Sequence, residues 1–301
     1  MATQQMFDHA RVGVNARERL LAGLPLTERR MQLAGVSTAV FAGGDGPPVV
    51  LLHGPAGNAA HWMRVVPALA TTRRVIVPDL PGHGASLVDD VGELDAERAV
   101  AWLSELIERT CASRPSLIGY ALGGAIALRF AVDHGDRLSG LVLVDSLGLA
   151  PFAPAAAFGA ALERFLADPS EETHDGLWRQ CAFDLDRLRE QMGERWQAFE
   201  AYNVDRARTP SAMGALGSLM ANVGMHATGF ARIDVPTTLI WGRHDLATRL
   251  DVAQAAADRH GWRLHVIENA RDDPAIEQPE AFLEALRAAL DVTEADQAVR
   301  R

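Results

Sequence analysis

Lysine is absent from the 301-residue sequence, so all 29 basic residues are arginines. This absence excludes catalysis through a lysine Schiff base and phosphate binding by a Walker-type lysine. Acidic residues are more numerous, with 39 aspartates and glutamates and a formal net charge of −10. Because nucleic-acid binding depends on a basic surface, we expect no nucleic-acid partner.

Cysteine is nearly absent too, since the sequence contains only Cys111 and Cys181. Two cysteines this far apart cannot form a disulfide framework or a cysteine-rich metal site. The sequence has no H-E-x-x-H, no C-x-x-C and no G-x-G-x-x-G after a strand, and it therefore predicts no metal and no cofactor. It contains neither a run of about 18 apolar residues nor an apolar leader in residues 1–13. We therefore expect a cytoplasmic protein with no membrane partner.

Short apolar runs alternate with segments of helical period before residue 150 and again after residue 231, which is typical of a mostly parallel sheet covered by helices. Between these regions the strand pattern disappears, and apolar residues recur at helical spacing. The sequence thus predicts an α/β core in two parts, residues 1–149 and 232–301, interrupted by a helical cap over residues 150–231.

The opening stretch, residues 1–30, is predicted to be an N-terminal helical extension, because Leu20 and Leu21 lie among several arginines and glutamates. Such a helix packs either on the core of its own chain or on a neighbouring subunit, as in a homodimer. The sequence leaves these two arrangements open.

Three segments in a fixed order carry the most specific signal. Residues 49–58 place a glycine-rich turn directly after an apolar strand, so that backbone amides can converge on an oxygen atom. Residues 75–86 form a second strand with a glycine-rich turn, and residues 117–125 form a strand, a tight turn and the start of a helix. The candidate pocket residues in these segments are His53, Gly54, Pro55, Ala56, Tyr120, Leu122 and Gly123.

In this order the three segments resemble the α/β-hydrolase fold family, in its lid-bearing branch of esterases, carbon–carbon bond hydrolases, epoxide hydrolases and haloalkane dehalogenases. The resemblance implies a mostly parallel, doubly wound sheet with an inserted helical cap. It also implies a nucleophile on the tight turn, in the pattern G-x-S-x-G. Here that position is Ala121, whose methyl group can neither attack a carbonyl carbon nor be activated by a base.

The other two catalytic positions of the family follow later in the chain. By the same resemblance, Asp245 takes the position of the acid, and Asp272 takes the position of the histidine. Pro55 has no N–H for an oxyanion, so the amides of Ala56 or Gly57 would act together with that of Leu122.

Two interpretations of the aspartates stay open. If Asp245 and Asp272 face each other at hydrogen-bonding distance, they share a proton and form an acid and base for non-covalent chemistry. In the alternative, Asp272 points to solvent or caps the turn before Pro274, while Asp245 only bonds loop amides.

As written, the sequence is not expected to encode a working serine hydrolase. Three functions remain: non-covalent acid–base catalysis under a lid, an esterase or carbon–carbon hydrolase inactivated by a serine-to-alanine change at position 121, and a non-catalytic binding protein. In each case the expected partner is a small apolar organic molecule held between core and cap.

Overall fold

The strands of the protein join in a single sheet, as seen in a computed structural model that describes residues 15–89, 94–222 and 229–299, with side chains described up to residue 291. In this part of the chain the strands are β1 (Thr27–Leu33), β2 (Val36–Gly43), β3 (Pro48–Leu52), β4 (Arg74–Pro78), β5 (Leu87–Val88), β6 (Ser116–Tyr120), β7 (Gly140–Val144), β8 (Thr237–Gly242) and β9 (Arg263–Ile267). The sheet order is β1-β2-β4-β3-β6-β7-β8-β9, with β5 paired to β2. Strands β3, β4, β6, β7, β8 and β9 run parallel, whereas β1, β2 and β5 are joined antiparallel at one edge.

Helices connect the parallel strands, as crossover connections require. The described helices are α1 (residues 15–21), α2 (Val66–Leu69), α3 (Ala96–Thr110), α4 (Leu122–His134), α5 (Ala156–Ala167), α6 (Glu171–Cys181), α7 (Leu185–Met192), α8 (Glu194–Arg208), α9 (Pro210–Asn222), α10 (Leu250–His260), α11 (Pro274–Glu277) and α12 (Pro279–Val299). Short 3-10 turns cover Ala59–Trp62, Gly135–Arg137 and Phe230–Arg232.

Both faces of the sheet are buried, as the continuous apolar runs of its central strands require. In β3, Val50 and Leu52 pack into one apolar cluster with helices α3 and α4, whereas Val49 and Leu51 pack into the cluster on the opposite face with α12. This alternation follows the two-residue period of a strand. The layered arrangement places the carboxyl ends of the parallel strands together at one edge, where the predicted site residues lie.

The start of the chain differs from its prediction. The helical extension predicted over residues 1–30 is wrong over residues 27–30, which begin β1 and pair with β2. The sequence of β1 has no strong strand pattern, so its pairing with β2 at the sheet edge decides its conformation. Helix α1 does occur, at residues 15–21, and its Ala16 and Leu20 are buried against the same chain. The part of the prediction that falls on residues 1–14 lies outside the described residues.

Five helices, α5 to α9, lie between β7 and β8, and we call them the inserted helices. They fall within the range predicted for the cap, of which residues 223–228 are not described. The apolar side chains of α5 to α8 form a third cluster with α1, Ala60 and Met63, whereas Ala215 and Leu219 of α9 pack into the cluster of α3 and α4. That these helices form a separate domain remains a prediction. No helix in the described ranges has the length and apolarity needed to span a membrane.

Candidate active site

The tight turn between β6 and α4 holds Ala121 at φ 46° and ψ −110°, a strained conformation for a residue with a Cβ atom. Two glycines make the turn possible. A Cβ atom on Gly119 would lie 2.4 Å from the carbonyl oxygen of Gly123, and one on Gly123 would lie 2.5 Å from that of His53. The turn therefore keeps the geometry that presents a side chain at its tip, although that side chain is a methyl group.

Beneath the inserted helices lies a cavity of about 420 Å³ that includes this turn. Most of its wall is apolar and aromatic, from residues such as Tyr120, Phe152, Phe158, Phe165, Trp178, Phe199 and Tyr202. Of the residues predicted for the site, Gly54, Pro55, Ala56, Tyr120, Ala121 and Asp272 line the cavity. The cavity wall does not include His53, Leu122, Gly123 or Asp245, which support it from behind.

Some backbone amides near Ala121 already donate a hydrogen bond within the protein, and others are left to bind an oxyanion. The Gly57 amide donates to the oxygen of Gly54 at 3.3 Å, and the Gly123 amide donates to His53 at 3.1 Å. Leu122 is the first residue of α4, so its N–H has no acceptor within the helix. Ala56 stands in the left-handed region at φ 54° on the facing loop. Of the two alternatives for the second amide, the geometry thus favours Ala56 over Gly57.

His53 braces the loop instead of facing the cavity. Its Nε2 accepts from the Leu80 amide at 2.9 Å, so Nδ1 carries the proton and donates to the Gly54 oxygen at 2.8 Å. Burial lowers the pKa of His53 to about 4, and the ring is neutral at ordinary pH. His53, which was predicted to belong to the pocket, therefore has a structural role.

Asp245 sits behind the cavity, on the loop after β8. Its carboxylate accepts hydrogen bonds from the amides of Ala247 (2.7 Å) and Thr248 (3.1 Å) and from the Thr248 hydroxyl. Asp145 hydrogen-bonds to it from the end of β7. Despite these bonds, burial raises the pKa of Asp245.

Asp145, which directly follows β7, is hydrogen-bonded to Asp245. Its Oδ1 accepts from the Gly242 amide at 2.9 Å, while its buried Oδ2 finds no donor among the described residues. Burial and then the charge of Asp245 raise the pKa of Asp145 well above its usual range. A proton held between the two carboxyl groups satisfies both of them.

Asp272 is held against the cavity by both backbone and side chain. Its amide donates to the Cys181 oxygen at 3.1 Å, and its carboxyl group is hydrogen-bonded to the Tyr120 hydroxyl and the Cys181 thiol. Burial, followed by the charge of Asp245, raises the pKa of Asp272 well above its usual range. Its neighbour Asp273, not Asp272, caps the turn at Pro274. Asp272 bonds Tyr120 and Cys181, and Asp245 bonds Asp145 and its own loop, so a proton shared directly by Asp245 and Asp272 stays a prediction.

His61 is a cavity residue that the sequence analysis missed. Its ring stacks on Tyr120 with centroids 4.3 Å apart, and its Nδ1 lies 3.4 Å from Asp273 Oδ2. Burial lowers the pKa of His61 to about 3. The available signal was its position on the short turn that directly follows the glycine-rich loop, which is too weak to single out one histidine. Among the described residues, no three histidine, cysteine, aspartate or glutamate side chains are grouped to hold a metal ion.

Comparison with known proteins gives consistent matches. A profile of the alpha/beta hydrolase family matches residues 49–285. The chain is 30% identical over 272 residues to a pimeloyl-(acyl-carrier protein) methyl ester esterase of Aeromonas hydrophila, covering 83% of this chain and 98% of the relative. It is 27% identical to the 2-hydroxy-6-oxo-6-(2'-aminophenyl)hexa-2,4-dienoic acid hydrolase of Metapseudomonas resinovorans, covering 86% and 89%.

A solved structure extends these matches in three dimensions. The 2-hydroxy-6-oxo-6-phenylhexa-2,4-dienoate hydrolase from Rhodococcus sp. strain RHA1 superposes with a TM-score of 0.75 at 23% identity, over 88% of this chain and 99% of that one. At this identity the likeness concerns the fold alone.

Proposed function

Because this chain belongs to the alpha/beta hydrolase family, we propose that it uses the family's pocket for acid–base catalysis on a small apolar molecule, without a covalent intermediate. Family membership confirms the resemblance and the fold expected from the sequence. The family's esterases and carbon–carbon hydrolases are its relatives. The proposal concerns what this member does with a pocket in which Ala121 replaces the nucleophile.

The observation that carries the proposal is the environment of Asp272. The group lines an apolar cavity, and its pKa is raised well above its usual range by burial and by the charge of Asp245. A carboxyl group that stays protonated near neutral pH can donate a hydrogen bond or a proton to a substrate oxygen. The histidine that would accept a proton from a serine is replaced by a proton donor.

Tyr120 orients this donor. Burial raises the pKa of Tyr120 well above its ordinary value, so its hydroxyl group keeps its proton. When that hydroxyl donates to one oxygen of Asp272, the O–H on the other oxygen is free to donate into the cavity. In this proposal Asp145 and Asp245 share one proton, so the pair keeps one negative charge close to Asp272 and opposes its ionisation. We infer that Asp272 is the acid and that the Asp145–Asp245 pair favours its neutral form.

The inserted helices supply the lid in this proposal. Their aromatic side chains close over an opening that the glycine-rich loop borders, and Tyr202 of α8 donates a hydrogen bond to the Gly57 oxygen at 3.1 Å. A lid that excludes water strengthens every electrostatic interaction beneath it. The partner we propose is therefore a small apolar molecule with at least one polar oxygen.

One other function has an observation in its favour. The turn at Ala121 keeps its strained geometry, and the amides of Leu122 and Ala56 remain near it, as a serine hydrolase would require. A hydrolase inactivated by a single serine-to-alanine change would look the same at this turn. It would not need an aspartate at position 272, which is why we favour the acid–base function.

Replacing Asp272 by asparagine tests the acid directly. We expect the infrared difference spectrum between the parent protein and Asp272→Asn at pH 7 to contain the carbonyl band of a protonated carboxyl group. Because the group is neutral below its raised pKa and ionises above it, this band should weaken as the pH rises. Asp258→Asn, on the exposed face of α10, is the matched control.

The same variants test hydrogen-bond donation to a substrate. With 4-phenylbutan-2-one as the probe, donation from Asp272 shifts the carbonyl stretch of the bound ketone to lower frequency, and Asp272→Asn should reduce this shift. If Asp272 is ionised at pH 7, or if the ketone band is the same in both proteins, the proposed function is wrong.

A further inference from the structure

The position of His61 is fixed from several sides. It lies on the 3-10 turn Ala59–Trp62, which begins with a cap in which the Asn58 side chain accepts from the Ala60 amide at 2.8 Å. Its ring stacks on Tyr120 at an angle of 14° and meets Trp62 edge-on, with centroids 4.7 Å apart. A ring held in this way keeps one orientation relative to the cavity.

Asp273 contacts one nitrogen of the His61 ring and leaves the other one free to bind a proton. Its Oδ2 lies 3.4 Å from His61 Nδ1, and its Oδ1 accepts from the Ile276 amide at 3.2 Å, which fixes the carboxyl group. Burial and the charge of Asp272 raise the pKa of Asp273 well above its usual range, so this carboxyl group positions the ring by bonding Nδ1 and leaves Nε2 to accept a proton. Asp273 therefore acts as a positioning residue.

The other nitrogen, Nε2 of His61, has no hydrogen-bond partner among the described residues, although the side chain is only 8% exposed. Buried polar atoms without partners are rare, because each one costs free energy that water would otherwise supply. His61 also lines the cavity beside Tyr120. His61 therefore borders the cavity with one polar ring atom unpaired in the described part of the chain.

Building on the proposed function, we propose that His61 is the base that works with Asp272, and that the substrates are uncharged carbonyl compounds with a hydrogen on the α carbon and an apolar body. Tyr120 brings the two groups together, since its hydroxyl bonds Asp272 and its ring face stacks on His61. No arginine is among the described residues of the cavity wall, which disfavours an anionic substrate.

The proposed step is a balanced proton transfer. Nε2 of His61 takes a proton from the α carbon, and the C–H electron pair becomes the carbon–carbon double bond of an enol. The carbonyl π electrons move to oxygen, which receives the proton of Asp272. The reverse transfer restores both groups. When the proton on Nε2 is first replaced by one from solvent, its return to the same carbon exchanges the hydrogen, and return of a proton to the γ carbon of a β,γ-unsaturated ketone moves the double bond.

Hydrogen exchange of 4-phenylbutan-2-one in deuterium oxide, followed by NMR, tests the assignment. We expect the parent protein to accelerate exchange at the α carbons, and His61→Phe, which keeps a flat ring against Tyr120, to slow it about 100-fold, a typical contribution of a general base. His260→Gln, at the far end of α10, is the matched control and should change the rate less than about twofold. Unchanged exchange in His61→Phe, or none by the parent protein, overturns the proposal.

Asp273→Leu separates positioning from packing. Because leucine removes the oxygen beside Nδ1 of His61, we expect the exchange rate to fall about tenfold, and Asp273→Asn, which keeps an oxygen at this position, should restore most of it. A loss in Asp273→Leu that asparagine does not restore contradicts the positioning role.

A measurement that needs no turnover distinguishes the proposal for His61 from the proposed function of Asp272. Diethyl pyrocarbonate acylates neutral imidazole nitrogens, so it should modify Nε2 of His61, and 4-phenylbutan-2-one should protect it. If His61 stays unmodified while the exposed His244 reacts, the assignment of His61 fails, whereas the infrared band of Asp272 still decides the proposed function.

Discussion

Ala121→Ser alone is expected to stay nearly unreactive toward a fluorophosphonate probe, whereas Ala121→Ser combined with Asp272→His is expected to gain labelling and p-nitrophenyl butyrate hydrolysis by about 10²- to 10⁴-fold. The single variant places a hydroxyl group on a turn that already has the required strain. It has no base at position 272, however, because the raised pKa of Asp272 leaves that group protonated. The second change supplies an imidazole close to Asp245.

The control for this experiment is Ala121→Ser combined with Asp258→His, which adds a histidine on the exposed face of α10. It should behave like Ala121→Ser alone. Rapid labelling of Ala121→Ser without the second change would contradict the proposed function. It would mean that this chain is a hydrolase that lacks only its nucleophile.

The fold could be predicted largely because its central strands are recognisable in the sequence. Residues 49–52, 75–78 and 117–120 are apolar runs, and glycines follow each of them at the points where the chain must turn tightly. The antiparallel edge could not be predicted in the same way. β1 is exposed along most of its length, so its strand conformation comes from pairing with β2 and leaves little trace in the sequence.

The site residues that belong to sequence motifs could be predicted, whereas those that meet only through tertiary packing could not. Ala121, Asp245 and Asp272 were placed by the resemblance of their segments to the family's motifs. His61 was missed, because its relation to Asp273 joins residues 212 positions apart. The role of Asp145 also depends on distance, since its carboxyl group matters only through Asp245, which lies on the neighbouring strand end. Burial and proximity of this kind arise from the tertiary fold.

Arg17→Met is expected to lower the free energy of unfolding by about 3–5 kcal/mol, the loss that follows when one partner of a buried ion pair is removed. Nη2 of Arg17 lies 2.6 Å from Oδ2 of Asp79, and the Asp79 side chain is completely buried. Methionine keeps part of the packing but leaves this carboxylate without its cation. Equilibrium unfolding in urea, followed by tryptophan fluorescence, measures the difference.

Arg19→Met, on the exposed side of the same helix, is the matched control and should cost about 0.5 kcal/mol or less. The double variant Arg17→Met with Asp79→Asn should cost less than the sum of its two single variants, because the unpaired charge has gone. Equal losses in Arg17→Met and Arg19→Met would contradict the assigned role of the ion pair.

The same ion pair ties helix α1 to the site. Asp79 accepts hydrogen bonds from the amides of Ala59 (2.7 Å) and Ala85 (2.8 Å) besides its bonds from Arg17. Ala59 begins the 3-10 turn that carries His61, so a carboxylate that has lost its cation disturbs the support of the proposed base. We therefore expect Arg17→Met to slow ketone exchange even at temperatures where the protein is still folded, and Arg19→Met to leave the rate unchanged.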